Sequence, residues 1–193
     1  KMKVIQLHQE EKQLIMLAVE NNRQAQQQIY AKFSSKMLSV CRQYIKDIHH
    51  AEDVMITGFM KVFTNLKNFE HKGSFEGWIR RIMVYECIDF LRVKKNNFNH
   101  QDIDDVTVSE NESVYEMEDF SVDDIQNMID NLPDGYKMVF NLYAIEGYKH
   151  QEIAEMLKIS EGTSKSQLSH ARKLLQQQIT DLKNKLNDIA TIR

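Results

Sequence analysis

The feature that most constrains the fold is a stretch near the C-terminal end, residues 147–175, which reads GYKHQEIAEMLKISEGTSKSQLSHARKLL. Its apolar residues recur at the spacing of a buried helical face in two separate halves. In the first half they are Ile153, Ala154 and Leu157, and in the second they are Leu168, Ala171 and Leu175. The pattern predicts two helices around a tight turn. This is the outline of a helix-turn-helix, whose second helix normally lies in the major groove of DNA.

A few positions set the predicted ends of these two helices. Gly162 predicts the turn, because glycine tolerates a positive φ, and Thr163 or Ser164 would then cap the second helix. Lys149 stands where the first helix begins, but a lysine cannot cap, and its charge opposes the helix dipole. Lys149 therefore either contacts a DNA phosphate or is a merely exposed lysine.

The remaining sequence also predicts helix. One proline, Pro133, and six glycines occur in a chain rich in Gln, Glu, Lys, Leu and Met. Apolar periodicity places helices near residues 10–20, 23–46, 51–66, 74–93, 122–131, 134–145, 149–158 and 163–186. Between the fourth and fifth helices the chain is polar, acidic and without sustained periodicity. We therefore predict an all-α protein with two small helical domains, 1–96 and 122–193, joined by a flexible acidic linker, 97–121, the C-terminal domain being the helix-turn-helix.

Catalytic, membrane-spanning and disulfide-stabilised proteins are disfavoured. No run approaches the roughly 20 apolar residues that cross a bilayer, and the first residues do not resemble a signal peptide. Cys41 and Cys87 are too few and too far apart for a disulfide framework or a zinc site, so we expect a cytoplasmic location. Phosphate-binding glycine loops and nucleophile elbows are absent, so we expect neither an enzyme nor a cofactor. His49, His50, Glu52 and Asp53 could hold a metal, although a solvated helix start explains them better.

The net charge of −3 conceals a segregated pattern. Residues 72–95 hold six basic residues against three acids, whereas residues 102–119 hold eight acids and no Lys or Arg. The basic stretch opens with Gly73 and Ser74, which predict a turn and an N-cap. A buried helix face follows at Phe75, Trp78, Ile79 and Ile82. The cations off that face, interleaved with Phe69, Tyr85 and Phe90, could bind single-stranded DNA, or could simply be a solvated face.

Two motif blocks in this order carry a family resemblance. The first is AEDV…F.KVF.NL..F…GSF.GWI.RI….CIDFLR, and the second, beyond the acidic spacer, is LPDGYKMVFNLYAIEGY..QEIAEML.IS.GT.KS.LS.ARK.L. Together they resemble a bacterial sigma-70 family RNA polymerase sigma factor of the extracytoplasmic-function (ECF) group. The resemblance implies that residues 10–96 bind core RNA polymerase and open the promoter, and that residues 122–180 read the minus-thirty-five element as duplex. An anti-sigma factor is a further expected partner.

The resemblance also implies two sets of contact residues in the first domain. Residues 51–66 would grip core polymerase, through Asp53, Val54, Phe59, Lys61 and Val62. Residues 67–95 would capture the melted minus-ten strand, through Lys72, Arg80, Arg81, Tyr85 and Arg92. The chain departs from the common family pattern at Ile56 and Thr57, where Gln and an acid are usual, and at Tyr85, where many relatives carry Asn.

A helical projection of residues 163–175 assigns the DNA-reading side chains. Lys165, Ser166 and Ser169 are predicted to contact bases, with Gln167 on the flank as an adenine partner. His170, Arg172 and Lys173 are predicted to contact phosphates. Arg172 could instead pair within the domain, for example with Glu161 or Asp181.

The low net charge fits a subunit that does not bind DNA alone. Polymerase would supply the non-specific affinity for DNA. Two domains that each bind DNA weakly would bind more tightly when both are held on polymerase, because binding of one raises the effective concentration of the other. The acidic linker either occupies a basic nucleic-acid path on polymerase or is a plain spacer. A stand-alone helix-turn-helix regulator is the alternative function, and a protein–protein adaptor is a third.

Overall fold

The computed structural model describes the backbone of residues 2–96 and 120–191 and the side chains of residues 10–93 and 120–184. Within these ranges the chain forms eight α-helices and no strand, which confirms the all-α prediction. The chain divides into two compact units between residues 98 and 99. The predicted linker, 97–121, lies outside the described residues except for its last two positions.

The first unit contains four helices, α1 (Met2–Val19), α2 (Arg23–Tyr44), α3 (Ile48–Asn65) and α4 (Phe75–Asn96). Short polar side chains start three of them. Asn22 accepts a hydrogen bond from the N–H of Ala25, and Asp47 accepts one from the N–H of His50. Ser74 accepts from the N–H of Gly77, which confirms the predicted N-cap of α4.

The core of the first unit lies between α2, α3 and α4. Its large buried side chains include Ile29, Phe33, Tyr44, Phe75 and Ile79. Gly58 lets α3 approach α4 closely, because a Cβ at this position would lie 2.3 Å from the sulfur of the buried Met83. Beside this crossing, the carboxylate of Glu86 on α4 pairs with the ammonium of Lys61 on α3.

The second unit contains α5 (Val122–Asp130), α6 (Asp134–Phe140), α7 (His150–Leu157) and α8 (Glu161–Thr191). Ser121 caps α5 and exchanges hydrogen bonds with Asp124 in a capping box. Asp130 at the end of α5 and Lys137 on α6 form an ion pair, 3.5 Å apart, with side chains 1% and 5% exposed. The core beneath α8 includes Leu132, Tyr136 and Ala171, with Phe140, Leu174 and Leu175 packed against it.

The predicted helix at 134–145 is interrupted in the structure. The α-helical pattern ends at Phe140, and residues 141–145 form a π-helical turn closed by the N–H of Glu146 on the carbonyl of Asn141. Such turns admit one extra residue into the helix and change the direction of the side chains around it. Here the turn presents Tyr143 and Ile145 at the surface, 36% and 39% exposed.

Candidate nucleic-acid interface

The turn of the helix-turn-helix lies earlier than the sequence predicted. Lys158, with φ of 57°, adopts the left-handed conformation at the end of α7. The side chain of Ser160 then accepts a hydrogen bond from the N–H of Thr163, 2.9 Å away, and caps α8. The predictions of a turn at Gly162 and a cap at Thr163 or Ser164 were therefore wrong. The missed signal was a serine directly before an acid, Glu161, in the first turn.

Ser164 is instead the polar contact that fixes α7 against α8. It is fully buried, and its hydroxyl lies 2.9 Å from Nδ1 of His150 at the start of α7. The His150 ring also stacks on Tyr143, with centroids 4.7 Å apart and planes at 21°. Partial burial lowers the pKa of His150 below its ordinary value, the nearby charges of Lys165 and Arg172 lower it further, and Glu161 opposes them.

Apolar contacts complete the packing of the motif. Leu168 and Ala171 of α8 are buried, as the sequence predicted, and Leu175 is half-buried. On α7 the buried pair is Ile153 and Met156, whereas Ala154 and Leu157 are only half-buried. The predicted inner face of α7 was therefore correct at Ile153, and Met156 was missed. Lys149, before the helix, is exposed and provides no side-chain cap.

The outer stripe of α8 consists of Ser166, Ser169 and Lys173, which follow Gly162 at helical spacing opposite the buried residues. Ser166 and Lys173 are exposed and Ser169 is half-buried. Lys165, on the flank of this stripe, is also exposed, and its ammonium lies 2.7 Å from the carboxylate of Glu161. This contact lowers the pKa of Glu161.

Two residues predicted to contact DNA, His170 and Gln167, make contacts within the second unit instead. His170 was predicted to contact a phosphate, but its Nδ1 lies 2.8 Å from the carbonyl of Ser166 and its Nε2 is buried. The ring stacks on Tyr136, so neither nitrogen can reach a phosphate in this conformation, and the prediction is corrected. The half-buried Gln167 lies against Gly135, where a Cβ would be 3.3 Å from its Nε2.

Arg172 does not form the predicted alternative pair with Glu161, whose carboxylate is held by Lys165. Its guanidinium lies over the ring of Tyr143, 5.7 Å from the centroid, and the side chain stays exposed. Arg172 therefore lies at the surface where the π-helical turn meets α8.

The predicted strand-binding residues of the first unit fall into three groups. Arg81 and Tyr85 lie one turn apart on the exposed face of α4, with the guanidinium 5.8 Å from the ring centroid. Lys72 and Arg92 are held by neighbouring acids, Lys72 by Glu70 at 2.6 Å and Arg92 by Asp89 at 2.9 Å. Arg80 is half-buried and follows the buried Ile79.

Two aromatic side chains near this face, Phe69 and Trp78, differ from their predicted burial. Phe69, predicted as a platform for bases, is 8% exposed and packs against Phe75 and Trp78. Trp78, predicted as core, is only half-buried. His71, which the sequence pattern did not mark, has φ of 57°, and its ring is tilted at 60° to that of Phe69, with centroids 4.7 Å apart. Phe90 is half-buried near His50, with centroids 5.4 Å apart.

Three of the predicted polymerase contacts are core residues. Val54, Phe59 and Val62 are 6%, 2% and 0% exposed, because this face of α3 packs into the first unit. A partner cannot contact them in this fold, so their assignment is corrected. The outer face of α3 carries the exposed Asp53 and Lys61 and two exposed apolar side chains, Ile56 at 49% and Met60 at 66%.

The side chains of residues 10–93 and 120–184 also bear on the alternatives of a metal site, a disulfide and a membrane-spanning helix. No group of three or more His, Cys, Asp or Glu side chains in these ranges could hold a metal ion. The two cysteines, Cys41 and Cys87, are buried and are not joined in a disulfide. In the part of the chain that the structure describes, no helix has both the length and the apolar content needed to cross a membrane.

Two family models match the chain in the order that the two units follow. Sigma-70 region 2 matches residues 29–97, and sigma-70 region 4 matches residues 122–175. The ECF RNA polymerase sigma factor SigW of Bacillus subtilis (strain 168) is 29% identical over 163 residues, covering 78% of this chain and 86% of that protein. RNA polymerase sigma factor SigV of the same organism is 29% identical over 137 residues, covering 71% and 80%.

Solved structures show the same fold. The sigma factor RpoE, in complex with the anti-sigma factor NepR from Bartonella quintana, has a TM-score of 0.52 at 18% identity. The match covers 80% of this chain and 96% of that one. The two regions, their order and the relatives agree with the helix-turn-helix and the aromatic, basic face of α4. This chain belongs to the ECF group of the sigma-70 family, non-catalytic subunits that bind core RNA polymerase and promoter DNA and initiate transcription.

Proposed function

We propose that the two units divide the work of promoter recognition. Residues 1–96 bind core polymerase and hold the melted minus-ten strand, residues 122–193 read the minus-thirty-five element as duplex, and residues 97–121 link them. The observation that carries this division is the outer stripe of α8. Its small polar and basic side chains lie opposite a buried face, on a helix whose start is fixed against α7 by the Ser164–His150 hydrogen bond.

On α8 the side chains that read bases are Lys165, Ser166 and Ser169. They lie in the first turns of the helix, which normally reach base edges in the major groove. Lys173, farther along the outer stripe, and Arg172 and Lys149, beside it, bind phosphates. Gln167 reaches a base only by leaving its place against Gly135. Lys165 exchanges its ion pair with Glu161 for a base acceptor. That exchange costs little, because an exposed pair of this kind is worth at most about 1 kcal/mol.

The melted strand binds along the exposed face of α4. Tyr85, 37% exposed, and the half-buried Trp78 provide ring faces on which bases can stack, and Arg81 beside Tyr85 provides charge for the backbone. Stacking of this kind is worth about 1–3 kcal/mol per base and tolerates any sequence. Lys72 and Arg92 add charge at the two ends of the face, and Arg80 supports it from its half-buried position.

Core polymerase binds the outer face of α3. Asp53, Ile56, Met60 and Lys61 lie there at helical spacing, and two of the four are exposed apolar side chains. Large exposed apolar side chains on a helix that also carries charges are typical of a docking surface. Ile56, one of the positions that departs from the common family pattern, therefore contributes apolar contact area in place of a hydrogen bond.

The remaining partners and the location follow from this role. The protein acts in the bacterial cytoplasm, where polymerase and promoters are found. An anti-sigma factor regulates it, a proposal supported by the solved complex of RpoE with NepR. The net charge of −3 leaves non-specific DNA affinity to polymerase. The acidic side chains of the linker, 97–121, bind the basic path on polymerase that nucleic acid otherwise occupies.

Reconstituted holoenzyme tests the division of work. Core polymerase with this protein transcribes a library of templates randomised over the upstream element, and core polymerase alone serves as the control. We expect the holoenzyme to select an upstream sequence, and variants of the base-reading residues Lys165, Ser166 and Ser169 to change that selection. Specific binding of the chain to DNA without polymerase, together with no transcription from the selected templates, would favour a stand-alone regulator.

A further inference from the structure

A cluster of three side chains lies where the π-helical turn meets the two helices of the helix-turn-helix. Tyr143 comes from the π-helical turn, His150 from the start of α7 and Arg172 from α8. The Tyr143 ring stacks on His150 at 4.7 Å and lies under the guanidinium of Arg172 at 5.7 Å. One exposed aromatic ring therefore contacts both helices of the DNA-binding motif.

Both cations and acids surround this cluster. Lys165 is paired with Glu161, and Glu152 accepts a hydrogen bond from the N–H of Lys149, whereas the guanidinium of Arg172 lies over the Tyr143 ring. The charges of Lys165 and Arg172 lower the pKa of His150, against the opposing effect of Glu161. Lys149 is the neighbour of His150 in sequence and is exposed. An anion that approaches α8 beside this cluster therefore meets the exposed guanidinium of Arg172.

A guanidinium held over a ring has fewer conformations to lose on binding. Arginine side chains carry about 2 kcal/mol of rotamer entropy, and stacking on an aromatic face leaves the edge of the guanidinium, with its N–H donors, free to bind. A continuous α-helix through residues 141–145 would direct the side chain at position 143 differently, because the π-helical turn changes the angular position of the residues around it. The irregular turn is thus what places the ring beneath Arg172.

We propose that Tyr143 is a positioning residue, whose ring holds the Arg172 guanidinium in the orientation in which it binds a phosphate of the upstream duplex. The ring itself need not touch DNA. This inference rests on the proposed duplex-binding role of residues 122–193, and it adds a residue that the family resemblance did not assign. It predicts that removing the ring lowers affinity through Arg172, and that a phenylalanine, which keeps the ring, restores it.

The test uses holoenzyme reconstituted with the full chain and a promoter that the wild-type holoenzyme selects from the randomised library. Binding is measured over a series of KCl concentrations for Tyr143→Leu, Tyr143→Phe, Arg172→Ala and the double variant Tyr143→Leu with Arg172→Ala. Tyr143→Gln, which also lacks a ring, is made alongside, so that the test does not depend on the folding of one variant. Circular dichroism checks that each variant keeps its helices.

We expect Tyr143→Leu and Tyr143→Gln to weaken promoter binding about threefold, the size of an exposed cation–π contact, and to lower the salt slope by up to about one unit. Tyr143→Phe should behave as wild type. With Arg172→Ala already present, Tyr143→Leu should have little further effect. Equal losses from Tyr143→Leu with and without Arg172, or a wild-type salt slope in both ringless variants, would overturn the positioning role.

Failure of the underlying function gives a different result. If Arg172→Ala alone leaves the salt slope unchanged, Arg172 binds no phosphate, and the proposal falls together with that assignment. If Arg172→Ala lowers the slope but the ringless variants do not, the duplex-binding function stands and only the role of Tyr143 is lost.

Discussion

The two units offer different chemistry to DNA in the proposed division of promoter recognition. The exposed face of α4 offers large side chains, with Arg81 beside Tyr85 and the half-buried Trp78. The outer stripe of α8 offers two serines and a lysine, Ser166, Ser169 and Lys173. Single strands present ring faces, which bind flat aromatic surfaces, whereas a duplex presents donors and acceptors at the floor of a groove, which short polar side chains on a narrow helix can read.

The contrast extends to how each unit holds its site. In the first unit the helices α3 and α4 cross at Gly58, and the candidate site lies on the outside of that tightly packed pair. In the second unit a buried polar contact, between Ser164 and His150, fixes the two helices of the motif. The first unit thus depends on close apolar packing, and the second depends in addition on a hydrogen bond that orients α8 against α7.

The largest expected effect tests whether each unit has its own core. Ile79→Ala in the first unit and Leu142→Ala in the second each remove a fully buried side chain, and each should cost about 2–5 kcal/mol. Trp78 is the one tryptophan of the chain, so its fluorescence reports the first unit alone. Urea unfolding should show that Ile79→Ala shifts the fluorescence transition, while Leu142→Ala shifts only part of the helical circular dichroism signal. A fluorescence shift of equal size in both variants would contradict two independent cores.

Helix content was predictable because its causes are local. The capping serine Ser74 and the buried residues Phe75, Ile79, Leu168 and Ala171 follow from residue types and spacing within one helix. The π-helical turn and the left-handed Lys158 were not predictable, since neither residue type nor period marks them. Ser164 was predicted as a cap, whereas it is buried by the packing of α7 on α8.

The site was harder to predict than the fold, because exposure depends on neighbouring helices. Val54, Phe59 and Val62 are apolar, and residue type alone does not separate a core contact from a contact with a partner. Gly58, spaced four residues from both valines, was a sign of close helix packing on that face. For the same reason Phe69, predicted to be exposed to DNA, is buried, and Trp78, predicted to be core, is half-buried.

The second prediction concerns the strand-binding face. Tyr85→Ala should weaken holding of the melted strand by about 1–3 kcal/mol, because it removes a stacking surface. Tyr85→Phe keeps the ring and is the matched control. Permanganate reactivity of thymines near the start site measures opening, and polymerase binding should stay unchanged in both variants. Normal reactivity in Tyr85→Ala would remove Tyr85 from the strand-binding face.

The third prediction separates base contacts from phosphate contacts on α8. Ser169→Ala and Lys165→Ala should each lose about 1–3 kcal/mol at one position of the upstream element and relax the preference there. Lys173→Ala should weaken all promoters alike and reduce the salt slope by about one unit. Transcription from the randomised library reads both effects. If the base preferences of the Ser169 and Lys165 variants match those of wild type, α8 does not read DNA through these residues.

The smallest expected effect is a pH dependence that differs between the units. Burial and the charges of Lys165 and Arg172 lower the pKa of His150, against the opposing effect of Glu161, so the folded second unit binds a proton there less readily than the unfolded chain. Neutral His150 therefore contributes fully to the stability of the second unit above the unfolded pKa of about 6.5. This contribution is lost as the pH falls from that value through the folded pKa. In the first unit the pKa of Asp47 is lowered by a hydrogen bond from the backbone of His50, so the matching loss occurs only in more acidic solution.

Urea unfolding at pH 7.5, 6.5 and 5.5 distinguishes the pH range in which His150 titrates from the more acidic range of Asp47. Wild type should lose stability in the transition of the second unit as the pH falls, by more than His150→Gln does, because glutamine can still hydrogen-bond to Ser164 but does not titrate. The Trp78 fluorescence transition of the first unit should respond alike in both proteins, since His150 lies outside that unit. A pH response of the second unit that is the same in wild type and His150→Gln would show that protonation of His150 does not oppose the packing of α7 on α8.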